Sequence, residues 1–294
     1  MAKRPIKKED VPTTGHSWDG IQEFDNPMPR WWLWTFYACI VWAIGYTIAY
    51  PAWPGISSAT AGYLGFSTRG QVAEAIAEVE TKLAPMNDKL ASVELASIAS
   101  AEELKSYAIS SGAAVFKTWC AQCHGSGAAG AKGYPNLLDD DWLWGGDMEA
   151  IHYTITHGIR NTDSDEARAT EMPAFGRDEL LEKPQLEAVV NYVMSLSGTP
   201  QDAGKVEEGA VVFADNCASC HGDQGEGMRD LGAPKLSDAI WLFGGDYAAL
   251  METVTNSRAG VMPAWSRDFR PAQGLSEAQI RAVATYVHAL GGGE

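Results

Sequence analysis

Positive charge is what this 294-residue chain most lacks. Twenty-two Lys and Arg stand against 38 Asp and Glu, a net charge of −16. That balance excludes nucleic acid as a natural partner. The deficit is uneven. Residues 1–30 hold five basic and five acidic side chains and cancel, so the whole acidic excess lies after residue 54. Cysteine is also scarce. Four of the five form two Cys-x-x-Cys pairs, Cys120/Cys123 and Cys217/Cys220. Cys39 stands alone in an apolar run, where it reads as a small hydrophobe. Convincing strand alternation is missing around the pairs, which excludes the βαβ setting of a thioredoxin-like dithiol.

Charge is absent altogether from "WWLWTFYACIVWAIGYTIAY", Trp31 to Tyr50. Twenty apolar-rich helical residues match the hydrocarbon thickness of a bilayer. Trp31, Trp32 and Trp34 crowd one end, and Tyr50 and Trp53 mark the other, as interfacial belts do. Pro51 and Pro54 stop the helix. Lys3, Arg4, Lys7, Lys8 and Arg30 precede it, and the next basic residue is Arg69. Positive residues stay inside, so the N-terminus is expected in the cytoplasm and residues 55–294 beyond the membrane. A cleavable signal fits poorly, because thirty polar residues come first.

A repeat fixes the remaining organisation. "GAAVFKTWCAQCHG" is echoed by "GAVVFADNCASCHG", "WLWGGD" by "WLFGGD", "EMPAFGRD" by "VMPAWSRD", and "LEAVVNYVMSLSG" by "IRAVATYVHALGG". The expected layout is a cytoplasmic segment over 1–30, an anchor over 31–54 and a helical spacer over 55–104 with a break at Pro85. Two repeats follow, over 105–198 and 204–294. Each repeat reads as an opening helix, a glycine-rich loop, a short middle helix and a closing helix, so the class is all-α.

Cys-x-x-Cys-His, present at 120–124 and 217–221, is the attachment signature of c-type haem. Each thiol adds to one porphyrin vinyl group, and the adjacent histidine comes to lie under the iron. Zinc would need four ligands, with its cysteine pairs about 15–20 residues apart; here they are 97 apart. Methionine commonly completes the iron of electron-carrying cytochromes and raises the potential. Among nine methionines only Met172 and Met262 align between the repeats, 48 and 41 residues after His124 and His221. Each lies on a loop able to fold back over a haem. His152 and His157 are alternatives to Met172, although the second repeat has Met251 and Asn256 there. His16 and His288 read as structural or exposed. Pro135 and Pro234 are placed to offer a carbonyl to the histidines. Gly112 and Gly209 permit a close crossing of an opening helix with Tyr192 or Tyr286 of a closing helix.

With these residues in view, the chain resembles the dihaem subunit (CcoP or FixP) of cbb3-type cytochrome c oxidases. "TTGHSWDGIQEFDNPMPRWWLWTFY", Thr13 to Tyr37, resembles that subunit's lead into its anchor. The resemblance implies one transmembrane helix, two tandem class I cytochrome c domains and two covalently bound haem c groups. One haem is implied at Cys120, Cys123, His124 and Met172, the other at Cys217, Cys220, His221 and Met262. It further implies a bacterial inner membrane and periplasmic haem domains. The implied partners are a monohaem cytochrome subunit, a catalytic haem–copper subunit and a soluble or membrane-anchored cytochrome c donor. With both axial positions filled, the chain is expected to relay electrons and not to reduce oxygen itself. A cytochrome subunit of a membrane-bound dehydrogenase, a dihaem peroxidase and a haem-based sensor are the competing readings.

Overall fold

The computed structural model describes residues 12–293. Lys3, Arg4, Lys7 and Lys8, which carry the orientation argument, lie outside them. Two compact units are present, Met1–Lys82 and Leu83–Glu294.

The first unit opens with a hairpin of strands β1 (Thr13–Trp18) and β2 (Ile21–Phe24). Sequence reasoning missed it, although Asp19-Gly20 carries the signal. Both turn residues have positive φ, 51° and 83°, as a type I′ two-residue turn requires. Trp18 pairs with Ile21 across it. Helix α1 (Arg30–Ala49) follows, and among the described residues it alone is long and apolar enough to span a membrane. None of its residues is buried within the chain. Helix α2 (Thr68–Ser92) contains the boundary between the units. It runs unbroken through Pro85, contrary to the expected break. An interior proline costs about 3 kcal/mol. Beyond Pro85, Leu90 is fully buried and Met86 packs beside it, while Asn87 accepts a 2.7 Å hydrogen bond from the Tyr107 hydroxyl. This packing offsets the lost backbone bond.

The second unit is helical. Short α3 (Leu95–Ile98) leads to α4 (Glu102–Val115), which passes through a π-helical turn, Phe116–Cys120, into α5 (Ala121–His124). Then come α6 (Met148–His157) and α7 (Lys183–Ser197). The second repeat supplies α8 (Val206–Asn216), α9 (Ala218–His221), α10 (Tyr247–Asn256) and α11 (Glu277–His288). Asp147 and Asp246 cap α6 and α10 by accepting from the amides of Ala150 and Ala249.

The packing exchanges the closing helices between repeats. Opening helix α4 crosses α11, and opening helix α8 crosses α7. A methyl group at Gly112 would lie 2.1 Å from the Ala282 carbonyl oxygen, and one at Gly209 would lie 2.1 Å from that of Ala188. Only glycine allows this approach. Phe116 then meets Tyr286, and Phe213 meets Tyr192, at ring centroid distances of 5.5 and 5.1 Å. One core joins Val115, Phe116, Ile151 and Ile155 to Ile280, Val283 and Val287. The other joins Val212, Phe213 and Leu250 to Leu186, Val189 and Val190.

Candidate haem-binding sites

Each motif sits on a one-turn helix that ends at its histidine, followed by a glycine of positive φ, Gly125 or Gly222. The imidazoles are oriented from behind. His124 Nδ1 lies 3.0 Å from the Pro135 carbonyl oxygen, and His221 Nδ1 lies 2.9 Å from that of Pro234. With Nδ1–H donating, Nε2 is left as the metal-binding nitrogen. Burial lowers both histidine pKa values, which the carbonyl contact only partly opposes. Neutral imidazole, the ligating form, is favoured. Burial, with the neighbouring cysteine, pushes the Cys120 and Cys217 thiols up to about 11. No disulfide joins any two of the five cysteines.

The methionine loops cross with the closing helices. Met262 packs against the same core as Cys120 and Trp119 of the first motif, and Met172 against the same core as Cys217 of the second. Backbone bonds hold this arrangement. Ile159, just after α6, exchanges two 2.9 Å hydrogen bonds with Met262, and Asn161 Nδ2 donates to the Met262 carbonyl at 3.0 Å. Reciprocally, Ser257, just after α10, donates its hydroxyl to the Met172 carbonyl, and the Arg177 amide donates to Thr255 at 2.8 Å. The expected grouping joins His124 with Met172 and His221 with Met262; in the structure Met262 packs against the core of the first motif and Met172 against that of the second. The physical reason is the exchange of closing helices, which carries each methionine loop to the opposite motif.

The alternative ligands are engaged elsewhere. His152 Nε2 lies 3.0 Å from a Glu277 carboxylate oxygen. His157 Nδ1 contacts Ser164 Oγ at 3.1 Å, and its Nε2 lies 3.4 Å from Glu166. Among the described residues no cluster of three or more His, Cys, Asp or Glu could hold a bare metal ion. The donors instead fit haem c: paired thiols one turn apart, an oriented imidazole, and a thioether from a facing loop. Sequence reasoning missed Arg270. Its Nη1 is buried without a protein partner, and its guanidinium lies 5.2 Å from the Trp265 ring centroid. A carboxylate on a bound ligand, such as a haem propionate, would satisfy it. The signal was weak, because Leu180 holds the matching place in the first repeat.

Comparison with known proteins gives the family. Residues 10–57 match the N-terminal domain of cytochrome oxidase-cbb3, FixP. Residues 108–193 match cytochrome c oxidase, cbb3-type, subunit III, and residues 206–291 match cytochrome c. The chain is 60% identical over 296 residues to the cbb3-type cytochrome c oxidase subunit CcoP of Cereibacter sphaeroides, each chain being covered completely. It is 54% identical to CcoP of Rhodobacter capsulatus, again over both whole chains. Identity is 52% to FixP of Azorhizobium caulinodans, covering 96% of this chain and 94% of that one. The chain belongs to the CcoP/FixP family of cbb3-type cytochrome c oxidase subunits. As a CcoP/FixP protein it is an electron-transfer component of such an oxidase, membrane-associated, with two cytochrome c domains that bind haem c. The dehydrogenase, peroxidase and sensor readings receive no support from these relatives.

Proposed function

We propose that this CcoP/FixP chain carries two covalently attached haem c groups with crossed axial pairs. Cys120, Cys123 and His124 act with Met262, and Cys217, Cys220 and His221 act with Met172. The observation that carries this reading is the pairing of each motif core with the methionine loop of the other repeat. The proposed division of the chain is a cytoplasmic segment over 1–30, an anchor over 31–54, a spacer over 55–104, and cytochrome c repeats over 105–198 and 204–294. The N-terminus lies in the cytoplasm and the haem module lies on the periplasmic side of a bacterial inner membrane. The partners are other oxidase subunits, namely a monohaem cytochrome subunit and a catalytic haem–copper subunit, with a cytochrome c as donor.

Haem c, when bound, supplies a one-electron couple at each site. The chain's own residues decide what that couple can do. The carbonyls of Pro135 and Pro234 keep each imidazole proton on Nδ1 and aim Nε2 at the metal position. Trp119 and Trp265, with ring centroids 5.8 Å apart, shield the first site from water. Arg270, whose Nη1 is buried without a protein partner, would hold a carboxylate of the bound group. A methionine joining each histidine as ligand to the bound group would leave no position for oxygen or peroxide and would favour a raised potential. The chain therefore accepts and passes electrons, and oxygen is reduced elsewhere in the complex.

The test is haem stoichiometry. The full-length chain, denatured and washed with acid acetone, should keep a haem on each of its two motifs by mass and by pyridine haemochrome absorbance. A colourless or zinc-loaded chain would overturn the reading.

A further inference from the structure

The loops after the two motifs meet across an approximate two-fold relation. Trp144 and Phe243 hold the same place in their repeats, just ahead of paired glycines. Each ring reaches into the other repeat. A methyl group at Gly232 would lie 2.2 Å from the Trp144 ring, and one at Gly133 would lie 3.3 Å from the Phe243 ring. The Gly133 amide also donates to the Leu242 carbonyl at 2.9 Å. Gly133 and Gly232 stand two residues before Pro135 and Pro234, whose carbonyls orient His124 and His221. Each aromatic ring thus rests on the loop that holds the other repeat's histidine.

Two arginines fix the rings. Arg168 Cζ lies 4.9 Å from the Trp144 centroid, and Arg258 Cζ lies 4.8 Å from the Phe243 centroid. The two occupy matching places, four residues before Met172 and Met262. Arg168 Nε donates to Thr154 Oγ1 at 3.1 Å, Arg258 Nε donates to Thr253 Oγ1 at 3.0 Å, and Arg258 Nη2 donates to the Ala249 carbonyl at 2.7 Å. These bonds hold each guanidinium against its ring. Cation–π contacts of this kind add about 0.5–2 kcal/mol to the arrangement.

We infer that Trp144 and Phe243 are positioning residues for electron exchange between the two haem sites, with Trp144 the stronger of the two. Trp144 fills the space at Gly232, at 2.2 Å, whereas Phe243 stands tight but further off at Gly133, at 3.3 Å. The inference rests on the proposed dihaem relay. In the step, one electron leaves a ferrous iron at one motif and reduces the ferric iron at the other. No bond or proton moves, neither ring is oxidised, and the cytochrome donor supplies the electron. A ring used only for packing would be replaceable by any apolar side chain of similar reach.

The test uses the full-length, haem-loaded chain. Flash photoreduction by a ruthenium complex injects less than one electron per molecule. Freeze-quench electron paramagnetic resonance then follows the two ferric signals as the electron redistributes. Trp144→Leu should slow redistribution roughly tenfold, with both haems bound, both potentials unchanged and the iron–methionine charge-transfer band intact. Trp144→Phe, which installs the ring of the matching position, should recover most of the rate. A wild-type rate in Trp144→Leu would overturn the inference. Loss of haem or of the charge-transfer band in Trp144→Leu would also overturn it, by placing the ring inside one site. Failure of the relay reading is distinguishable, because wild-type chain would then show no exchange at all.

Discussion

Replacing Met262 with Ala should open the iron held by His124, which lies 138 residues earlier in the chain. Haem should stay attached at both motifs, because the four cysteines are untouched. One iron per chain should now bind carbon monoxide, and its potential should fall by on the order of a few tenths of a volt, since a thioether ligand raises it. The opened iron should belong to the first motif. Met262 packs against the same core as Cys120, and its backbone is tied to Ile159 just after α6. The Met172→Ala variant should open the iron on His221 instead. Redox titration and carbon monoxide difference spectra check the loss, and a double variant should open both irons. A Met262→Ala chain with unchanged spectrum and potential would remove methionine ligation from that site.

Cutting the chain after Gly198 should leave no folded cytochrome at all. A tandem arrangement of self-contained units would predict the opposite, a stable monohaem fragment. The exchanged helices decide between these outcomes. Without residues 204–294, α4 loses α11, and with it Ile280, Val283, Ala284 and Val287, which are at most 5% exposed. A fully buried Val or Ile side chain contributes about 1.5–3 kcal/mol. The three β-branched side chains alone are comparable with the whole stability of a typical domain, about 5–15 kcal/mol. Closing helix α7 is stranded as well, because α8 and α10 cover it. Opening the peptide chain between Gly198 and Val206 by an inserted protease site should do far less. The two halves should stay associated through both helix crossings and keep both haems. Size-exclusion chromatography and haem absorbance after cleavage check this. Separation of the halves into two independent red proteins would contradict it.

Much of the architecture can be read directly from residue patterns. The uncharged run from Trp31 identifies α1, the repeated motif identifies both sites, and Pro135 and Pro234 stand where the histidines need a carbonyl. The crossing is harder to read, because the two repeats are too alike. Gly112 and Gly209 suit either closing helix, and Tyr192 and Tyr286 are equivalent partners. Local pattern cannot separate a contact within a repeat from the same contact between repeats. The short stretch between Ser197 and Val206 does carry a signal, since helices joined by short connections tend to pack together. It favours α7 against α8, and the remaining pair must then be α4 and α11. The hairpin was equally legible in Asp19-Gly20. Pro85 misleads for a different reason: tertiary burial of Leu90 outweighs a local helix breaker.

The crossed pairing can be measured directly in the reduced, haem-loaded chain with 13C-labelled methionine methyl groups. An iron-bound methionine methyl lies over the porphyrin, so ring currents move its resonance far from those of ordinary methionines. Loss of one such resonance in Met262→Leu assigns it. Overhauser contacts then run from that methyl through the porphyrin protons to the thioether protons of the attached cysteines. The crossed arrangement predicts that the Met262 methyl connects to Cys120 and Cys123. Connection to Cys217 and Cys220 would contradict it and return each repeat to its own methionine.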